Sequence, residues 1–376
     1  MFVISTTESR TPNRLVRNVA LVGLAFSMAL AAGCGQVQGA STASSGAAPG
    51  GGAKVLALLM SDNTTSRWFQ IDVPNITKDV KTLAPDVKVL TYNAQNSPDT
   101  QLSQARTALG QGAKVLLVES VDPTSAGAIV SLAHEQGAKV ISYVHQILKS
   151  PIDYFVGFDA IQLGQQEGKW MVENTKAGDR IVLINGWAAT SLSHDFETGY
   201  MTQLGPLFDS NQRILLEKVF TPQWLASSAQ TEMSAFLSKY NNKVDAVLAE
   251  NDQMAGGVIA ALQAAGLAGQ VKVTGLDSEP AALQRILLGT QSMTIHPSFQ
   301  SEAQNAAQVA TDLLNGRTPS ADLFAGKTVD TGSGTAPWAV TPTTAITKDN
   351  MNVVIDDGFI TKATLCQGLP AQGFCA

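Results

Sequence analysis

The sequence predicts an α/β protein of two doubly wound parallel-sheet lobes, on three observations. Short apolar runs bounded by turn residues alternate with segments of helical period through most of the chain. Ten such runs are many for one sheet at this length, and strand, helix, strand repetition calls for parallel sheets with right-handed crossovers. A pseudo-repeat supports two lobes: TALGQGAKVLLVESVDP and AALQAAGLAGQVKVTGLDSEP both run helix, glycine stop, strand, acidic residue, proline.

Taken in order, the chain starts with Arg14 and Arg17 before VALVGLAFSMALAAGC, an apolar stretch too short and too rich in small residues for a comfortable membrane span. Residues 1–33 read as a secretory signal. LAAGC resembles the lipobox of bacterial lipoproteins, which would make Cys34 the lipidated new N-terminus; the alternative is an ordinary alanine-rich signal with Cys34 incidental. The rest of 34–53, GQVQGASTASSGAAPGGGA, lacks core-forming residues and reads as a flexible tether. Beyond it come the ten strand candidates, AKVLALLM, VKVLTYN, AKVLLVES, KVISYVH, YFVGFD, RIVLING, ILLEKVF, DAVLAEN, VKVTGLD and SMTIHP. Between them, DTQLSQARTALGQG puts Leu102, Ala105 and Leu109 on one helical face before a glycine stop, and QMAGGVIAALQAAG is apolar almost all round.

A net charge of −6 disfavours nucleic acid as a partner, because phosphate binding needs a basic face. Nothing suggests a second membrane segment. With Cys34 spent on lipid, Cys366 and Cys375 remain, either as a disulfide pinning the C-terminal tail or as free thiols; no CxxC or Cys/His zinc pattern is present.

In doubly wound sheets, ligands bind outside the carboxyl ends of the strands. The residues found there are SDNTTSRW after the first strand, His145 and Gln146 after the fourth, Asp159 after the fifth and Trp187 after the sixth. Trp224, Glu250 with Asn251, Asp277 and His296 follow the last four. Tryptophan faces with short hydrogen-bonding side chains suit a sugar, whose C–H faces stack on rings while its hydroxyls give and take hydrogen bonds.

SRW after the first strand, the run from DTQLSQARTALG to AKVISY and the run from NNKVDAVLAEND to GTQSMTI together carry a family resemblance. From about residue 54 to 360 the chain resembles the sugar-binding proteins of ABC importers, of the periplasmic-binding-protein type I superfamily, and looks closest to the xylose-binding branch. The resemblance implies two lobes joined by three crossing segments, near Phe158, His296 and Phe324. The first lobe would then be 54–157 plus 297–323, and the second 158–296 plus 324–376. It also implies that Arg67 and Trp68 serve the ligand from the first lobe, and that Trp224, Asn251 and Asp277 serve it from the second. Trp187 is a further aromatic candidate. Asp252 reads as the N-cap of the next helix, Glu250 as support, and Asp277 has a cap as its plainer alternative.

Departures are as informative. Where the family carries Asp-Arg after the fourth strand, this chain has Val144 and His145; His194 and His296 stand where the family often has Arg, Lys or Gln. The three histidines read as neutral hydrogen-bonding partners whose affinity for ligand would fall in acid. A metal held by His145, His194 and His296 is the alternative, though no HxH or HExxH spacing supports it.

Ser191, Ser193, His194 and Asp195 have no nucleophile elbow, and the first strand leads to no Walker or GxGxxG loop, so no enzyme and no cofactor is expected. A transcription regulator on this scaffold would need a DNA-binding helix pair where the signal stands. The expectation is a monomeric, extracytoplasmic, lipid-anchored protein that captures a monosaccharide or polyol and delivers it to an ABC permease. The alternative partner is a membrane signalling protein.

Overall fold

The computed structural model describes residues 54–63 and 67–376; the signal, Cys34 and the tether lie outside them. Each of the ten apolar runs forms a strand: β1 (Val55–Met60), β2 (Lys88–Asn93), β3 (Ala113–Val118), β4 (Lys139–Tyr143), β5 (Tyr154–Gly157), β6 (Arg180–Asn185), β7 (Ile214–Phe220), β8 (Ala246–Ala249), β9 (Lys272–Val273) and β10 (Thr294–Pro297). The connecting helices are α1 (Val73–Leu83), α2 (Pro98–Gly110), α3 (Gly127–Glu135), α4 (Ala160–Asn174), α5 (Ser191–Asp209), α6 (Ala226–Lys239), α7 (Asp252–Ala264), α8 (Pro280–Leu288) and α9 (Phe299–Leu314). Then come β11 (Thr328–Asp330), β12 (Thr335–Val340), β13 (Thr343–Ile346), α10 (Asn352–Asp356) and α11 (Lys362–Leu365).

The first lobe's sheet runs β11-β12-β5-β4-β3-β1-β2, parallel except for the antiparallel edge strand β11. The second lobe's sheet runs β7-β6-β8-β9, extended through a parallel bridge from Leu276 to Ile295 to the antiparallel pair β10-β13. Helices cover both faces, so successive residues of a strand enter opposite cores. Leu56, Leu58 and Met60 pack in one cluster, and Val55, Ala57 and Leu59 in another. Ile181 and Leu183 separate from Val182 and Ile184 in the same way in the second lobe. That two-sided burial explains why the runs are apolar throughout rather than alternating.

The chain crosses between lobes at Phe158 after β5, at Ser298 between β10 and α9, and at Thr341–Pro342 between β12 and β13. The Thr341 N–H donates to Gly157 O (3.0 Å) and the Ser298 N–H to Pro342 O (2.9 Å), which ties the three crossings into one hinge. The expected third crossing near Phe324 is therefore corrected. β12 pairs with β5 and β11 with β12, which keeps 328–340 in the first lobe. These strands escape a sequence reading because β12 (TAPWAV) carries Pro337, which cannot donate to a ladder, and β13 is threonine-rich.

Cys366 and Cys375 are joined in a disulfide. Met351, Val354 and Leu365 of the tail pack on Leu283 and Ile286 of α8, which docks the C-terminus on the second lobe. The N-cap of α7 is Asn251, whose side-chain oxygen accepts the Met254 N–H (2.9 Å). Asp252, expected there, is fully buried instead and accepts hydrogen bonds from Gln291, Thr294 and the Glu279 N–H, fastening α7 to the loops around β9 and β10.

Candidate functional site

Loops at the carboxyl ends of the strands bring Arg67, Trp68, His145, Trp224, Asn251 and Asp277 around one interlobe chamber, with Val144, Phe158, Leu192, Phe196 and Leu276 completing its wall. Its free volume is only about 30 Å³, room for about one water and less than a sugar ring requires.

Arg67 organises the first-lobe side. It is 1% exposed, and its guanidinium bonds Asp72 (2.9 and 3.2 Å), Glu302 of α9 (2.5 Å) and, across the cleft, Asp277 (3.2 Å). Its central carbon lies 4.6 Å from the Trp68 ring centroid and 4.7 Å from that of Phe299. Burial opposes the charge on Arg67, but Asp72, Glu302 and Asp277 outweigh it and hold the cation. Three carboxylates exceed one guanidinium, and burial pushes Glu302 up to about 7 against the pull of Arg67. Burial likewise raises Asp277. Asp277 is no helix cap: the N-cap of α8 is Glu279, which makes no side-chain cap bond.

Trp68 and Trp224 face the chamber from opposite lobes, and both indole N–H groups are buried without an acceptor. Buried donors in native proteins almost always have partners, which makes these two N–H groups candidates to receive an acceptor. Asn251 spends its oxygen on the cap, leaving its amide N–H groups as its free donors. The Trp224 ring lies so close to Gly186 that a Cβ there would sit 2.1 Å from it. Glu250 fixes that glycine by accepting its N–H (2.6 Å) together with the Ser193 hydroxyl (2.5 Å). Burial raises the Glu250 carboxyl well above its ordinary range, which suits a support rather than a ligand anion.

His145 stands edge-on to Trp68, ring centroids 5.7 Å apart, with Nδ1 against the Glu119 carboxylate and 3.3 Å from Ser120 O. Burial alone would lower its pKa; Glu119 outweighs that and raises it, favouring the imidazolium. That direction runs against the expected neutral imidazole at this position. Glu119 in turn accepts the Ser61 N–H (2.7 Å).

Backbone strain concentrates at the same loops. Val144 has φ 53°, and the His145 N–H donates to Tyr143 O (2.6 Å), forming a γ-turn with a β-branched residue at its centre. Gln223 (φ 53°), Trp224 (φ 59°), Asp277 (φ 96°) and Ser278 (φ 51°) are also left-handed, and such conformations cost on the order of 1–3 kcal/mol each.

Three expected residues are elsewhere. His194 is exposed on α5, its ring on Phe220 and its Nε2 2.9 Å from Ala188 O. His296 is buried at the second crossing, bonded to Asp357 (3.1 Å) and packed between Phe299 and Phe359. Trp187 is half-buried outside the chamber wall. The histidines therefore do not converge, and among the described residues no group of three or more His, Cys, Asp or Glu could hold a metal ion. Reading the residue after every strand would also have found Glu119, which directly follows β3. Asp72, Phe299 and Glu302 gave no such signal, because they reach Arg67 from helical segments.

Two lobes, three crossing segments and an interlobe chamber at the strand ends define a two-lobed solute-binding architecture. The periplasmic binding protein domain family matches residues 56–318. The chain is 32% identical over 305 residues to the D-xylose-binding periplasmic protein of Escherichia coli, covering 81% of this chain and 90% of that one. It is 28% identical to a multiple sugar-binding periplasmic protein of Azospirillum brasilense, covering 81% and 89%. Among solved structures, an ABC transporter solute-binding protein from Clostridium phytofermentans with bound β-D-glucose matches at TM-score 0.75 and 27% identity, covering 83% of this chain and all of that one. The chain belongs to the periplasmic binding protein family, and it is a binding protein rather than an enzyme.

Proposed function

We propose that this protein captures a monosaccharide or a related polyol outside the cytoplasm and hands it to an ABC permease, held to the membrane through lipid on Cys34. The carrying observation is the pair of unpartnered indole donors, Trp68 and Trp224, facing one chamber from opposite lobes. Stacking between the two rings, with Asn251, His145 and the Arg67–Asp277 pair on the edges, suits a pyranose. Contacts to both lobes let the ligand favour the closed form, which a permease can distinguish from the open one. Relatives that bind xylose, glucose or several sugars favour the pentose and hexose class, with D-xylose the first to try.

The test is a thermal-shift and calorimetric screen of residues 54–376 against pentoses, hexoses and polyols. One or a few should raise the melting temperature by several degrees, since a ligand that binds only the native state stabilises it. Trp68→Ala and Asn251→Ala should each weaken that ligand at least ~10-fold. Silence across the panel, or unchanged affinity in both variants, would remove this reading.

A further inference from the structure

A second chamber opens beside the first. It has a free volume of about 200 Å³ and shares Val144, Phe158 and Leu192 with the central chamber. Its first-lobe wall is Gln146, Phe155, Val329 and Trp338, and its second-lobe wall is formed by the starts of α4 and α5. The chamber has room for several waters.

The lining is built like a carbohydrate subsite. Trp338 offers a ring held in place by its own N–H, which donates to Gly157 O (2.8 Å), and by Phe155, 5.6 Å away between centroids. Asp195 and Ser191 line the chamber with side chains that make no hydrogen bond among the described residues. Asp159 uses one carboxylate oxygen to cap α4, accepting the Gln162 N–H (3.0 Å), which leaves the other free. Gln146 donates to Asp330 O (2.6 Å) and keeps its own oxygen open. Burial raises the Asp195 carboxyl, as expected of a group facing a secluded space. Where the chambers adjoin, the three shared side chains are apolar and pack together, so a linkage between rings would pass them only once the lobes have parted.

Resting on the sugar-binding reading above, we propose that the interlobe groove has two subsites: the Trp68–Trp224 chamber takes the first ring, and the Trp338–Asp195 chamber takes the second ring of a disaccharide. Acceptors and hydroxyls on the second-lobe side would hold its hydroxyls while Trp338 covers its apolar face.

The experiment is calorimetric titration of residues 54–376, which contain every core of the two lobes, with two matched pairs, D-xylose against xylobiose and D-glucose against cellobiose. In at least one pair the disaccharide should bind as tightly as its monosaccharide or more so. Ala160→Trp and Ile161→Trp, at positions that line the second chamber and not the first, should weaken the disaccharide at least ~10-fold and leave the monosaccharide within ~3-fold. Ile161 is 41% exposed, so its variant keeps the test usable if Ala160→Trp fails to fold. Monosaccharide binding with disaccharides at least ~10-fold weaker in both pairs overturns the second subsite and leaves the first. Equal loss of both ligands in the variants overturns it too. If none of the four sugars binds, both the subsite and the sugar reading fall.

Discussion

His145 carries the clearest consequence at the scale of single residues. Glu119 and the Ser120 carbonyl take up its Nδ1 side, which leaves Nε2–H to donate toward the chamber, and the carboxylate raises the pKa above the ordinary 6.5. Glu119, Asp277 and Asp62 are the acidic groups that act on it. If the imidazolium is the binding form, ligand affinity is fully present in mild acid and declines as pH rises through that raised value. Titration of ligand between pH 5.5 and 8.5 should show this decline, and His145→Gln should flatten it; affinity that falls in acid instead would restore the neutral imidazole. His145 itself was legible in the sequence as a residue after a strand. Its charge was not, because that depends on Glu119, 26 positions earlier and brought alongside only by the β3–β4 pairing.

At the scale of elements, glycines set how closely α4 and α5 approach. A Cβ on Gly199 would lie 2.2 Å from the Ile161 carbonyl oxygen, and one on Gly164 2.2 Å from the Phe196 carbonyl oxygen. Both obstacles are backbone and cannot swing aside. Gly199→Ala should therefore cost roughly 1–3 kcal/mol of stability in denaturant unfolding, an amount typical of overpacking. It should also displace Phe196, Leu192 and Asp195, which α5 presents to the two chambers. The ten strands were readable because two-sided burial demands unbroken apolar runs. The hairpin-like addition of β11 and β12 was not, since a short strand with a proline and a tryptophan looks like a loop until its partner β5 is known.

For the molecule as a whole, Arg67 and its carboxylates connect the first lobe, α9 and the second lobe. Glu302 titrates at about 7 when folded against an ordinary 4.5, so the native state binds its proton more tightly than the unfolded chain does. The stability this contributes is complete below about 4.5 and is lost as pH rises through about 7. The melting temperature of the ligand-free protein should accordingly fall by on the order of 5 °C between pH 5 and pH 8. Glu302→Gln, which keeps the hydrogen-bonding shape without the proton, should remove the component centred near pH 7. A variant with the same slope as the parent would show that the third carboxylate is not the titrating group.

The sequence by itself determined the two-lobed α/β architecture and ten strands, because apolar runs and glycine stops are written locally, and it offered nine cleft candidates, of which six line one chamber. Tertiary structure alone decided the rest. It put the third crossing after β12, moved Asn251 into the cap of α7, and sent His194 to the surface and His296 to the hinge. It also paired Arg67 with Asp277 across the cleft and opened a second chamber beside the first. All of these depend on contacts between segments far apart in the chain, where packing, burial and charge are settled jointly rather than by neighbours in sequence.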